Sequence, residues 1–250
     1  IQSVPTVLAF FDGKPINGFA GMKSEEEVLN FITEVTTLSS HSSEGLKNIS
    51  IYSYVSAVGD IVLNQHYNKL NLNNIYNNNV RCPSAKTAAL MESLINSCKK
   101  NGDTIGGQVS TIIKGLPVGL GEPVFDKLNA SLAKAIIGIN ACRGIEFGSG
   151  FAGSSRRGSD ENDEFFVDSS TIKVKTNNSG GIQGGISNGQ EVFFKSAFKP
   201  VSTIMKKQST INNKLKQVDL MPVGRHDPCV VPRAVPIVSA LTAIIVLDHY

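Results

Sequence analysis

SGGIQGGISNGQEVFFKSAFKPVST, residues 179–203, holds the two features on which the architecture turns. Its first half places Gly180, Gly181, Gly184, Gly185 and Gly189 within ten positions. Glycine weakens a strand and loses much conformational freedom when ordered. So many together imply a close approach, either of backbone to backbone in bulges and sheet crossings, or of backbone to a flat ligand. The second half is an apolar strand that ends at Lys199, Pro200, Val201, Ser202 and Thr203. A lysine, two hydroxyls and backbone N–H groups in one turn suit a phosphate; an ordinary exposed turn is the alternative.

Two further glycine-rich pieces lie upstream, DTIGGQV (103–109) and GIEFGSGFAG (144–153). None of the three reads G-x-G-x-x-G between a strand and a helix, and none ends in Gly-Lys-Ser/Thr, which disfavours a dinucleotide fingerprint or a nucleoside-triphosphate loop. Downstream, GRHDPCVVPRAVP (224–236) sets Arg225, His226 and Asp227 side by side before a proline. Charges pressed against apolar runs suit a phosphate ligand with catalytic groups beside it; an ion pair that staples the loop to the core is the competing reading.

Composition narrows the class. Of the 250 residues 41% are hydrophobic and 18% charged, as in a globular domain. A net charge of +3 gives no sign of nucleic-acid binding. The four cysteines, Cys82, Cys98, Cys142 and Cys229, form no C-x-x-C pair and have no metal-ligand spacing with the four histidines. They are expected to be free thiols in a reducing compartment. PIVSALTAIIVL near the C-terminus is about half the length that spans a bilayer, so no membrane partner is expected. The chain opens without an initiator Met and is expected to be a fragment or a mature piece.

Residues 1–34 read as strand, turn, strand and helix: TVLAFF, DGK, PINGFAG, then KSEEEVLNFITEV with Ser24 three positions before Glu27, as in a capping box. With SVPT at 3–6, this order resembles the C-terminal half of thioredoxin, although the redox C-x-x-C is absent and thiol exchange is not expected. Residues 35–48 have linker composition. From 49 onward, ISIYSYVSAVGDIVL reads as strand and the asparagine-rich NKLNLNNIYNNNV as an exposed loop. AKTAALMESLINSCKKNG reads as a helix with Leu90, Met91, Leu94, Ile95 and Cys98 on one face, stopped at Asn101-Gly102. TIGGQVSTIIKGL reads as a strand, and GEPVFDKLNASLAKAIIGI as a second helix with Pro123 near its start and Val124, Leu128, Leu132, Ala135, Ile136 and Ile139 inward. Strands and helices do not alternate regularly, so the fold class is α+β.

GDTIGG, VGLGEPVFDKLNASLAKA, GIEFGSGFAG, NDEFF, TNNSGGIQGGISNGQ, FKPVSTI and GRHDPCVVPRAVPIV, in this order, resemble the C-terminal part of the chorismate synthase family over about residues 49–250. The resemblance implies a sandwich of antiparallel sheets with helices, a homotetramer, and reduced FMN as cofactor, with NADPH as its reductant left open. It implies a lyase of the shikimate pathway that forms chorismate from 5-enolpyruvylshikimate 3-phosphate by 1,4-anti elimination of phosphate. It implies a cytoplasmic location, or a plastid in a eukaryotic source. Carried over residue by residue, Asn140 and Ala141 line the flavin, Gly184 lets backbone approach it, Lys199 to Thr203 hold it with its phosphate, Arg225 sits at flavin and substrate phosphate, and Asp227 near flavin N5 manages the substrate proton.

The departures are as informative. The family's two catalytic histidines and its GRSSARET segment have no counterpart here, and His66, His226 and His249 are not expected to replace them. Ser239 stands where the family carries an acidic residue. The chain alone is therefore expected to be inactive, and an inactive flavin-binding or assembly module is the alternative reading.

Overall fold

The computed structural model describes residues 6–250 apart from 12–13, 21–23, 25, 29, 32–45, 47, 170 and 225. The first hairpin pairs β1 (Thr6–Phe11) with β2 (Lys14–Ala20), antiparallel. The following helical residues open with the expected box: Ser24 N–H donates to Glu27 Oε2 at 2.8 Å, and Glu27 N–H donates to Ser24 Oγ at 3.2 Å. The SVPT proline, Pro5, lies outside the described residues, as does most of the linker.

Apolar β-branched and aromatic runs then build one five-stranded antiparallel sheet. Its strands are β3 (Ser50–Val58), β4 (Ile61–Val62), β5 (Gly107–Lys114), β6 (Cys142–Phe147) and, after two short hairpins, β11 (Val192–Phe198). The spatial order is β4-β3-β5-β11-β6, so β11 enters between two strands laid down long before it. Phe194 stands opposite Thr111 on one side and Phe147 on the other. The two hairpins are β7–β8 (Phe165–Asp168 with Thr171–Val174) and β9–β10 (Ile182–Gln183 with Ile186–Ser187). A last hairpin pairs β12 (Gln208–Ile211) with β13 (Gln217–Leu220).

Among the described residues, three helices of two turns or more accompany the sheet. α1 (Ala85–Lys100) starts at the side-chain cap of Ser84 and stops at Asn101, followed by left-handed Gly102. Met91 and Ala88 are its buried positions, whereas Leu90, expected inward, points to solvent. α2 (Leu128–Ile137) buries Leu128, Leu132 and Ile136. It begins several residues later than the sequence suggested: Val124 takes a left-handed φ of 66° that no helix admits, and Val124 and Phe125 are exposed. α3 (Val231–His249) opens on Pro232 and packs against β3, β5 and α2. By length and composition it could cross a bilayer, but it buries a face of Val231, Ala234, Val235, Val238, Thr242 and Val246 inside the domain.

The asparagine-rich stretch also departs from expectation. It forms two 3-10 turns, Tyr67–Lys69 and Leu72–Asn77, capped by the side chains of His66 and Asn71. With the polar side chains spent on the local backbone, Ile75 (2% exposed) and Tyr67 turn into the core. Tyr67 stacks between His66 and Phe193 at 4.4 and 5.1 Å, and burial pushes its hydroxyl up to about 12.

Candidate functional site

Several of the clustered glycines answer to backbone approaching backbone. A Cβ on Gly181 would lie 2.5 Å from the Glu191 carbonyl, and one on Gly107 2.1 Å from that of Ala57. Gly148 and Gly180 exclude each other's side chains in the same way. Gly184 and Gly224 differ: both have positive φ, yet a Cβ on either would meet nothing within 4 Å.

A buried carboxylate holds the central glycine loop. Asp163, 4% exposed, accepts from Thr176 Oγ1 (2.7 Å), Asn178 N–H (2.7 Å), Ser179 N–H (2.9 Å) and Ser179 Oγ (2.6 Å). Burial by itself would raise its pKa, but these four donors outweigh it and hold the carboxyl below its usual range. The sequence offered no local signal for this latch, since the partners lie 13–16 residues downstream.

At the end of the sheet where β11 stops and β5 begins, four loops converge. Lys199 N–H donates to the Ala141 carbonyl at 2.9 Å, Thr104 Oγ1 to the Val201 carbonyl at 2.6 Å, Met205 N–H to the Gly102 carbonyl at 2.8 Å, and Ile105 N–H to the Pro228 carbonyl at 2.8 Å. They frame a pocket of about 220 Å³ whose lining includes Lys99, Asp103, Thr203, Gly224, His226 and Asp227. Lys206 pairs with Asp103 and holds its carboxyl below the usual range, helped by the Thr104 N–H. Arg233 Nη1 lies 2.6 Å from Asp227 Oδ2. The staple read as an alternative in the sequence is therefore present.

Of the residues singled out in the sequence, Thr203 and Asp227 meet in this pocket. Lys199, Pro200, Val201 and Ser202 lead into it, and Ala141 is tied to Lys199. Ala141 has a φ of 70°, rare for a residue with a side chain. Asn140 is exposed beside it. Gly184 stands apart: its neighbour Gly185 accepts from Leu128 N–H at the start of α2, whereas Asn140 and Ala141 follow its end. Ten helical residues separate them, about 15 Å. Arg225 lies outside the described residues. All four cysteines are free, and burial pushes the Cys229 thiol up to about 11. Among the described residues no group of His, Cys, Asp and Glu is placed to hold a metal.

An antiparallel sheet backed by helices, with a charged pocket built by loops at one end, defines an α+β domain in which the loops carry the site. The chain belongs to the chorismate synthase family, whose description it matches over residues 35–250. It is 54% identical over 205 residues to the chorismate synthase of Christiangramia forsetii and 55% over 204 residues to that of Cytophaga hutchinsonii. These alignments cover 82% and 81% of the chain and 57% of each relative, so the chain spans just over half their length. A solved structure described as a crystal structure of chorismate synthase shares the fold, with a TM-score of 0.69 at 22% identity, covering 90% of this chain and 61% of that one.

Proposed function

We propose that this chain binds reduced FMN and takes part in the 1,4-anti elimination of phosphate from 5-enolpyruvylshikimate 3-phosphate to give chorismate. The carrying observation is that Thr203 and Asp227, about two dozen positions apart in sequence, meet in one pocket of a chain that matches the family throughout that region.

The residues present fit a flavin nucleotide in kind. Gly184 and Gly224 offer open backbone, and Lys99, Thr203 and His226 offer polar groups. The pocket's volume of about 220 Å³ lies below the roughly 300–1,000 Å³ usual for whole small-molecule sites. It therefore suits one end of such a ligand, and contacts at Asn140, Ala141 and Gly184 would serve the rest. Lys199, Ser202, Thr203 and Arg225 would grip phosphate.

When bound, reduced flavin would supply electron density to the substrate as phosphate departs. In the balanced step a C–H proton leaves, the C–O bond to phosphate breaks, a C=C bond forms, and no net oxidation occurs. Asp227 would handle the proton as a carboxylate kept in place by Arg233. Cationic side chains would steady the anionic substrate. A homotetramer and a cytoplasmic location accompany this reading, with NADPH as the flavin's reductant left open, as does a thioredoxin-like character for residues 1–34.

Flavin fluorescence titration of the 250-residue chain, followed by anaerobic phosphate release with reduced FMN, tests it. Turnover is measured for the chain alone and joined to the N-terminal part of the Christiangramia forsetii relative. FMN binding with turnover in the joined protein supports the proposal. Binding without turnover in either form supports the inactive flavin-binding module, and absence of binding overturns both.

A further inference from the structure

His226 lines the pocket, and its two ring nitrogens have different surroundings. Nε2 is sealed from solvent and has no hydrogen-bond partner. Nδ1 is then the ring nitrogen available to a group in the pocket that His226 lines. A buried N–H without an acceptor is strongly disfavoured, and an unpaired acceptor nitrogen is the cheaper orphan. In the neutral ring the proton therefore belongs on Nδ1. The two other sealed, unpaired atoms among the described residues, Asn129 Oδ1 and His249 Nε2, belong to residues that do not line this pocket.

The charges on the pocket lining indicate what Nδ1 would meet. Asp103 is matched by Lys206 and Asp227 by Arg233. Lys99, on the pocket lining, has no acidic partner among the described residues, so it is the cation left unmatched once each carboxylate is paired. The Thr203 hydroxyl adds a donor. A fixed N–H, a hydroxyl and an ammonium together suit the oxygens of a phosphate monoester.

We propose that His226 is a ligand-positioning residue that presents Nδ1–H as a fixed donor to a phosphate oxygen in this pocket. This rests on the flavin-dependent reading above, because both the flavin and the substrate carry a phosphate monoester. The role differs from proton transfer: it needs only a donor in the Nδ1 position, which an asparagine amide can supply and a glutamine amide, reaching to Nε2, cannot.

The test titrates FMN, riboflavin and 5-enolpyruvylshikimate 3-phosphate against the unaltered chain and against H226A, H226Q and H226N. H226A and H226Q are expected to weaken binding of the phosphate-bearing ligand about tenfold, with H226N restoring most of it. If the partner is the flavin's own phosphate, the loss appears with FMN and not with riboflavin. If it is the substrate's, FMN affinity holds and substrate affinity falls. Affinities within twofold for every ligand, or rescue by glutamine instead of asparagine, overturn the inference. Nitrogen-15 NMR of the unaltered protein supplies a second reading that needs no variant: a ring protonated on Nε2 alone overturns it too. If the unaltered chain binds no FMN, the proposed function fails instead.

Discussion

A Cβ built on Gly148 falls 2.5 Å from the Gly180 nitrogen, and one built on Gly180 falls 2.4 Å from the Gly148 nitrogen. The end of β6 and the start of the long glycine loop are thus fitted backbone to backbone.

That contact predicts a contrast between glycines. Gly180→Ala adds a clash to a left-handed φ of 69° and should cost roughly 2–4 kcal/mol. Gly184→Ala meets no atom and should cost only the left-handed strain, about 1–2 kcal/mol, while lowering FMN affinity. Urea unfolding and flavin titration separate the two effects. Equal destabilisation would remove the distinction between packing glycines and ligand-facing ones.

Asp163 predicts an acid-sensitive loop. Its folded pKa is lowered, so the unfolded chain binds more protons between the two values, and the carboxylate's contribution is present above about pH 4 and fades as pH falls through the folded pKa. Asp163→Ala should cost about 1.5–3 kcal/mol at neutral pH, and the gap to the unaltered protein should shrink in acid. Denaturant curves at a series of pH values measure this. A gap that does not change with pH would assign the loss to packing alone.

The segment after β11 should respond to loss of charge. Lys199→Ala should reduce FMN affinity about 10- to 100-fold, as expected for a charge-assisted contact of about 1.5–3 kcal/mol, and leave riboflavin binding unchanged. Fluorescence titration with both flavins decides it; equal loss for both would place Lys199 away from the phosphate.

Asp227 and Arg233 should act as a pair. Their ion pair is partly exposed, so Asp227→Asn should cost no more than about 1 kcal/mol of stability. In the protein joined to a relative's N-terminal part, turnover should drop about 10²–10⁴-fold, and Arg233→Ala should lower it by a smaller factor. Near-normal turnover of Asp227→Asn would leave the loop staple as the pair's whole role.

Local rules were legible in the sequence. The Ser24–Glu27 box and the Asn101-Gly102 stop depend on neighbours within a few positions. What escaped were long-range or cooperative features. The start of α2 is set by Val124's left-handed turn, which Pro123 did not reveal. Ile75 is buried in a turn that the Asn71 side chain caps. Asp163 chooses partners across a hairpin, and the two nitrogens of His226 are distinguished only by tertiary packing. The candidate ligand-contact residues were read from motifs, yet the distance between Gly184 and the Lys199 segment became visible only once α2 lay between them.

The late entry of β11 into the sheet has a consequence for synthesis. β5 pairs with β11 along its length, yet β11 begins roughly 80 residues after β5 does. At translation speeds of about 5–20 residues per second, the nascent chain displays the open edge of β5, with Ile112 and Ile113, for on the order of ten seconds before its neighbour emerges. A ribosome paused in that interval would hold out a sticky strand, so the demand on chaperones should track elongation rate more closely than the stability of the finished domain.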